Sequence, residues 1–197
     1  MSDEIPKTRL AVELGEAARL RVFIRRAELV NGRIAGARLA QPADAAALAA
    51  LLSHESIGTR IYTMPSPINA QTMQRFIGAH LEERARGEDI LLASFNAMGE
   101  ATAYSDVQVW LGWSIANFGG ACGLAAVEQC FDQLGVTRIC ETTARDNDRS
   151  IRHLSRLGFV QMGEVISIKP DGGTRPSIYW EMCSEGWRNA RSLKQTG

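Results

Sequence analysis

Two polar side chains stand near the amino end of a predicted helix. Asn147 and Ser150 are three residues apart in a segment with helical spacing of apolar residues that ends at Gly158, and either Asp146 or Asn147 is placed to cap it. Asparagine and serine accept hydrogen bonds from the free N–H groups of a first helical turn. Those N–H groups and the helix dipole also attract a phosphate lying beside the helix end. The pair therefore predicts either a cap or one side of an anion site.

A glycine-rich stretch before the predicted helix 124–134 is a second candidate for anion binding. Its candidate binding residues are Asn117, Gly119, Gly120, Ala121 and Gly123. Bare backbone N–H groups ahead of a helix can cradle a phosphate. No lysine or arginine occurs between Ala101 and Thr137 to add a positive charge. Close packing of a strand against a helix would also favour paired glycines, so both interpretations stay open.

The cysteines and histidines do not form a metal or disulfide motif. No two of the four cysteines are spaced CxxC, and the three histidines do not cluster with them along the chain. Cys122 follows the glycine pair, but no histidine stands in a context that would activate it as a nucleophile. We therefore expect reduced, mostly buried thiols and no metal.

Length and charge exclude several classes of protein. A chain of 197 residues with 45% apolar residues fits one globular domain, with or without a modest extension. Lysine plus arginine and aspartate plus glutamate number 22 each, which argues against nucleic acid or anionic lipid as a partner. The sequence has neither a long apolar run nor a secretory signal, so we expect a cytoplasmic protein without membrane contact.

The element pattern predicts a mixed sheet. The predicted strands are 34–39, 90–95, 101–110, 114–121, 136–143, 159–168 and 177–182. The predicted helices are 45–52, one capped by Asn69 and ended by Gly87, 124–134 and 147–157. Successive hairpins indicate antiparallel pairing, whereas the strand–helix–strand unit across 114–143 indicates one parallel pair. We expect a three-layer α/β domain with a mixed, mostly antiparallel sheet, helices on both faces and a central, buried strand at 137–143. Residues 1–33 form an extension of unclear structure, 34–187 the domain and 188–197 a polar tail.

Three blocks between residues 135 and 159 match a known family pattern. They read GVTRI at 135–139, DNDRS at 146–150 and RLGF at 156–159. These blocks resemble the LG-x-x-R-[IL], DN-x-x-S and [KR]-LGF segments of GNAT N-acyltransferases, and most of all the type that acetylates the terminal amine of ribosomal proteins. The helix start near 42–52 and the Arg-Gly-Glu at 86–88 are similar to that type as well. The resemblance covers about 34–187, and the element order is also that of the superfamily.

The resemblance implies an acetyl-CoA-dependent N-acetyltransferase. A primary amine of a protein N-terminus or small molecule would attack the thioester directly, with backbone N–H groups of the fourth strand polarising its carbonyl. Asn147 and Ser150 would lie beside the pantetheine or an adenosine phosphate. Ser150 matches the serine that the family type is thought to use as proton donor, with Tyr104 and Tyr179 as alternatives.

The attacking amine must be neutral, so a general base is needed near pH 7. Asp106 and Glu141 are the candidate bases, because each lies in a predicted strand that flanks the expected cleft. A solvated carboxylate on a strand is the alternative for both.

Two alignments of the phosphate segment compete. The family reads roughly [QR]-x-x-G-x-[GA] at this point. If 110–112 belong to the fourth strand, Asn117 and Gly119 fall on a phosphate-binding loop. If 114–121 form that strand, only nine residues precede Phe131 and most of the loop disappears. Counting strands favours the second alignment. The alternative function is then a degenerate GNAT fold kept as a binding or dimerisation module without acetyl-CoA turnover. The acceptor and the oligomeric state, a homodimer included, stay open.

Overall fold

The computed structural model describes residues 5–26, 37–54, 61, 63–120, 123–170 and 172–195. The strands of its single sheet are β1 Ala37–Leu39, β2 Asp89–Phe95, β3 Ala101–Trp110, β4 Ile115–Gly120, β5 Arg138–Ala144, β6 Val160–Ile168 and β7 Thr174–Cys183. The helices are α1 Leu14–Arg26, α2 Ala45–Leu52, α3 Ala70–Arg86, α4, α5 Asp148–Leu157 and α6 Ser184–Gln195. Helix α4 is α-helical over Gly123–Glu128 and continues with wider π-helical turns over Gln129–Leu134. None of the described helices is long and apolar enough to cross a membrane.

The strands form a seven-stranded sheet in the order β1-β2-β3-β4-β5-β7-β6. Every described pairing is antiparallel except that of β4 with β5, which is parallel. Strand β5 lies inside the sheet, and its Ile139 and Cys140 are fully buried. The predicted mixed, mostly antiparallel sheet with a buried strand near 137–143 is therefore confirmed.

Helices cover both faces of the sheet and make three layers. On one face, α2 and α3 pack on β2 and β3 through an apolar cluster that includes Leu48, Leu52, Met73, Ile77 and Leu91. On the other face, α1, α4 and α5 pack on the central strands through a larger cluster that includes Leu20, Val127, Ile139 and Leu154. We refer to these as the α2–α3 face and the α4–α5 face.

The predicted helix ends agree with the structure. Asn69 caps α3 by accepting a hydrogen bond from the Thr72 N–H at 3.0 Å, and Gly87 ends it in the left-handed conformation. At α5 it is Asn147, and not Asp146, whose side chain accepts from the first turn.

The two ends of the chain contain helices that the sequence pattern did not assign. Helix α1 lies within the unclear 1–33 segment, and its Leu20 and Ile24 are fully buried; residues 27–36 lie outside the described part. Residues 188–195 of the predicted polar tail 188–197 continue helix α6. Trp187 anchors this helix by stacking on Phe131 with ring centroids 6.1 Å apart. A single aromatic residue leaves almost no periodic signal, which explains why the pattern missed it.

Candidate active site between β4 and β5

Strands β4 and β5 pair at their first residues and then separate. Their register pairs only Ile115 with Arg138 and Ala116 with Ile139. Beyond that point side chains bridge the two strands. The Asn117 amide donates to the Cys140 carbonyl at 2.8 Å, and the Phe118 N–H donates to Glu141 Oε1 at 2.8 Å. The gap thus contains a backbone N–H group of β4, and the Glu141 carboxyl group accepts its hydrogen bond.

Glu141 lies deep in this gap. The residue is only 8% exposed. Burial raises the pKa of its carboxyl well above the usual range, the Phe118 N–H opposes that change, and the charge of Asp106 adds to it. Glu141 is therefore a buried acid held by one main-chain donor, and it interacts electrostatically with the other carboxyl predicted to act as a base.

The glycine pair belongs to a strand and not to a loop. β4 pairs with β3 along its whole length, so that Gly119 lies opposite Asp106 and Gly120 opposite Ser105. Helix α4 then begins at Gly123. The observed strand agrees with the alignment that makes 114–121 the fourth strand, so Asn117, Gly119 and Gly120 lie in β4. Their role in cofactor binding stays a prediction. Ala121 and Cys122 lie outside the described residues.

Asp106 belongs to a polar cluster on the α2–α3 face. His80 Nδ1 of α3 lies 2.7 Å from Asp89 Oδ1 at the start of β2 and 3.8 Å from Asp106 Oδ1. Asp89 is 1% exposed. Asp106 Oδ1 is buried with no hydrogen-bond partner, although 18% of the Asp106 side chain is exposed. We call His80, Asp89 and Asp106 the His–Asp cluster.

The charges of the His–Asp cluster are strongly perturbed. Burial raises the pKa of Asp106 to about 8; the negative charge of Asp89 adds to this, whereas His80 opposes it. Burial lowers the pKa of His80, but the hydrogen bond to Asp89 and the charges of Asp106, Asp89 and Glu83 outweigh burial and raise it to about 9. Burial also raises the pKa of Asp89. Near pH 8, Asp106 can therefore both take up and release a proton.

His80 and Asp89 were not singled out as site residues by the sequence. His80 occupies an apolar-face position of α3, seven residues after the fully buried Met73. Asp89 directly precedes an uninterrupted apolar run. A charged or titratable residue at a position predicted to be buried was the available signal, since such residues need partners.

Asn147 and Ser150 form a separate group where β5 leads into α5. The Ser150 N–H donates to Asn147 Oδ1 at 3.2 Å, and both side chains are half-buried. The capping role is thus present, and the first turn of α5 keeps the dipole and N–H groups that suit an anion. This turn follows β5 six residues after Glu141.

The alternative proton donors lie in buried positions. Tyr104 is 5% exposed and belongs to the apolar cluster under α2 and α3. Tyr179 is fully buried, donates to Glu181 Oε1 at 2.7 Å and accepts from the Lys7 N–H at 2.9 Å. Burial raises the pKa of the Cys130 and Cys140 thiols, and these free cysteines behave as small core residues.

Solved structures share this fold. RimJ from Mycobacterium smegmatis, in complex with CoA-disulfide, matches with a TM-score of 0.66 and 17% identity over 82% of this chain and 88% of that chain. The ribosomal-protein-S5-alanine acetyltransferase from Vibrio fischeri matches with a TM-score of 0.62 and 14% identity over 77% and 93%. Aminoglycoside acetyltransferase AAC(6')-Ib, with coenzyme A and kanamycin, matches with a TM-score of 0.59 and 22% identity over 79% and 98%.

No curated protein matches the chain. The family model described as "Acetyltransferase (GNAT) domain" matches residues 37–160, which is more than half of the sequence. With the sheet order, the separated β4 and β5 and the glycine-ended helices in place, the chain belongs to the GNAT acetyltransferase family.

Proposed function

We propose that this protein is an acetyl-CoA-dependent N-acetyltransferase that acts on a primary amine of a protein N-terminus or of a small molecule. The observation that carries the proposal is the gap between β4 and β5, where the Phe118 N–H faces away from its paired strand. In the proposed reaction the thioester carbonyl accepts from this N–H and is polarised by it. Glu141, which holds the N–H in the free protein, gives way to the thioester.

Asp106 is the proposed base. Asp106 of β3 is the pairing partner of Gly119 of β4. Its raised pKa suits proton uptake slightly above neutral pH. The acceptor enters as an ammonium ion and loses one of its three protons to Asp106, and the neutral nitrogen then attacks the thioester carbon. The C–N bond forms, the C–S bond breaks with its electron pair going to sulfur, and the second amine proton ends on the thiolate. One proton is released to solvent per turnover.

The first turn of α5 is the proposed contact for the cofactor. Its main-chain N–H groups and helix dipole suit the pantetheine or a phosphate of acetyl-CoA, with Asn147 and Ser150 at the rim. RimJ and the aminoglycoside enzyme were solved with CoA species, which supports the same cofactor here. The Vibrio fischeri enzyme is a ribosomal-protein-S5-alanine acetyltransferase and AAC(6')-Ib is an aminoglycoside acetyltransferase. We therefore propose both a protein N-terminus and a small amine as acceptor classes.

The Ser150→Ala variant distinguishes two roles of Ser150, that of a proton donor in catalysis and that of a residue that only stabilises the helix end. If Ser150 supplies the proton to the leaving thiolate, kcat should fall by about 10²-fold while the KM for acetyl-CoA changes little. The Ser150 N–H to Asn147 bond is a main-chain donation and survives the change, so stability should be nearly unaffected. Steady-state kinetics on Ser150→Ala and on the exposed control Ser155→Ala check this. A wild-type kcat in Ser150→Ala would show that Ser150 is not the proton donor and has only a structural role at the helix end.

The function is tested by thiol release. The full chain is incubated with acetyl-CoA and, in turn, with peptides bearing a free N-terminal amine and with small polyamines and amino sugars, and free CoA is measured. Mass spectrometry then checks that the acceptor has gained one acetyl group. Amine-dependent release supports the proposal. Binding of acetyl-CoA without release for any acceptor would favour a binding module on the same fold.

A further inference from the structure

We propose that His80 and Asp89 are positioning residues that act through Asp106 and set the pH at which it works. The inference rests on the proposed function, because it assigns Asp106 the role of base. It also makes a claim about the free protein that can be measured without turnover. The three residues come from α3, β2 and β3, so only the folded domain brings them together.

The two oxygens of Asp106 have different surroundings. Oδ1 faces the buried side, 3.8 Å from His80 Nδ1, and is shielded from solvent. Oδ2 lies toward β4, where a Cβ built on Gly119 would lie 3.8 Å from it. The 18% exposure of the side chain therefore comes from its other atoms, since Oδ1 contributes none. Oδ1 thus faces His80 without a hydrogen bond, and glycine at 119 leaves space beside Oδ2.

The His–Asp pair fixes this arrangement. His80 is held on one side by the 2.7 Å contact with Asp89 and on the other by an edge-on contact with the Phe76 ring, whose centroid is 4.3 Å away. Its side chain is 12% exposed, so the imidazole has little freedom to turn. A fixed imidazolium beside a fixed carboxylate gives Asp106 one positive and one negative neighbour. These two charges push the protonation of Asp106 in opposite directions.

The surrounding charges are few and identifiable. Helix α3 contributes His80 and, 3.8 Å from its imidazole, Glu83. Strand β2 contributes Asp89, and β5 contributes Glu141 across the gap. Strand β4 contributes Gly119, which carries no charge. Removing the cation should therefore make Asp106 harder to ionise, and removing the adjacent anion should make it easier.

The test is the pH profile of kcat in three enzymes. In the wild type, kcat should rise with pH through about 8, because Asp106 must lose its proton before it can accept one. His80→Gln should move this limb upward by about one pH unit, and Asp89→Asn should move it downward by a similar amount. Ionisation of the acceptor amine is common to all three enzymes and cancels in the comparison. A merely structural role would lower activity in both variants without shifting the limbs in opposite directions, and that result would overturn the proposal.

A second measurement does not depend on catalysis. NMR titration of the histidine ring protons, with His54→Gln and His153→Gln to assign the signals, should place the pKa of His80 near about 9. Asp106→Asn should lower it, because one of its negative neighbours is removed. The titration is repeated with EDTA and with added Zn²⁺, since imidazole and carboxylates also bind divalent cations. A normal pKa near 6.5 for His80, or a titration that EDTA changes, would overturn the inference even if acetyl transfer is found. The expected titration without any acetyl transfer would instead leave the cluster intact and remove the proposed function.

Discussion

Asp106→Asn should lower kcat by about 10²- to 10⁴-fold, the range for loss of a general base. Asparagine has nearly the same shape but cannot take a proton from the amine. The KM values should change little, because the side chain contributes to proton transfer and not to holding the cofactor. The thermal midpoint should not fall, since the substitution removes a buried carboxyl that lies beside the carboxyl of Asp89. Steady-state kinetics and thermal unfolding on the same preparation measure both quantities.

Glu88→Gln is the matched control for this variant. It removes a carboxylate one residue away from Asp89 along the chain, but Glu88 pairs with Arg86 at 2.8 Å and its side chain is 43% exposed. Exposed ion pairs of this kind contribute at most about 1 kcal/mol, so kcat should stay at the wild-type value. Full activity of Asp106→Asn would show that Asp106 is not the base. Glu141 would then be the remaining candidate base.

Gly120→Ala should lower the free energy of unfolding by about 3 kcal/mol through strain and overpacking. Gly120 has φ of +98°, and a Cβ built there would lie 2.2 Å from the Tyr104 carbonyl oxygen. Both atoms belong to paired strands, so neither can move without breaking the ladder between β3 and β4. Urea denaturation monitored by tryptophan fluorescence measures the loss.

Gly119→Ala is the neighbouring control. A Cβ at this position meets Asp106 Cβ at 3.6 Å, an ordinary van der Waals contact. Because the backbone at 119 does not require glycine, the free energy of unfolding should change by less than about 1 kcal/mol. Equal losses in the two variants would mean that the end of β4 is not built as described.

Helix ends and strands were predictable where local chemistry decides them. The ends of helices α3 and α5 are set by local residues, namely Asn69, Gly87 and Gly158. The apolar runs of β2 and β5 are buried, as their composition indicates. Helices α1 and α6 were not predictable, because each depends on a few contacts with distant segments, such as Trp187 on Phe131.

The candidate site was only partly predictable for the same reason. Asp106 and Glu141 could be named from their strands, but their interaction across the separated β4 and β5 depends on pairing between distant residues. His80 and Asp89 are nine residues apart in the sequence, and their contact exists only because β2 turns back along α3. The glycine pair was ambiguous because a phosphate loop and a strand end both use glycine, and only the register with β3 decides between them.

The most direct test of acetyl-CoA binding in the gap is an amide NMR titration of the full chain with acetyl-CoA. The Phe118 amide signal should shift and saturate, because its partner changes from the Glu141 carboxyl to the thioester carbonyl, and the Asn147 and Ser150 amides should follow the same curve. At a hundred times the dissociation constant, the ligand should also stabilise the fold by about 2.7 kcal/mol. A Phe118 amide that stays unchanged at millimolar acetyl-CoA in a folded sample, or saturating shifts confined to other regions, would contradict binding in the gap.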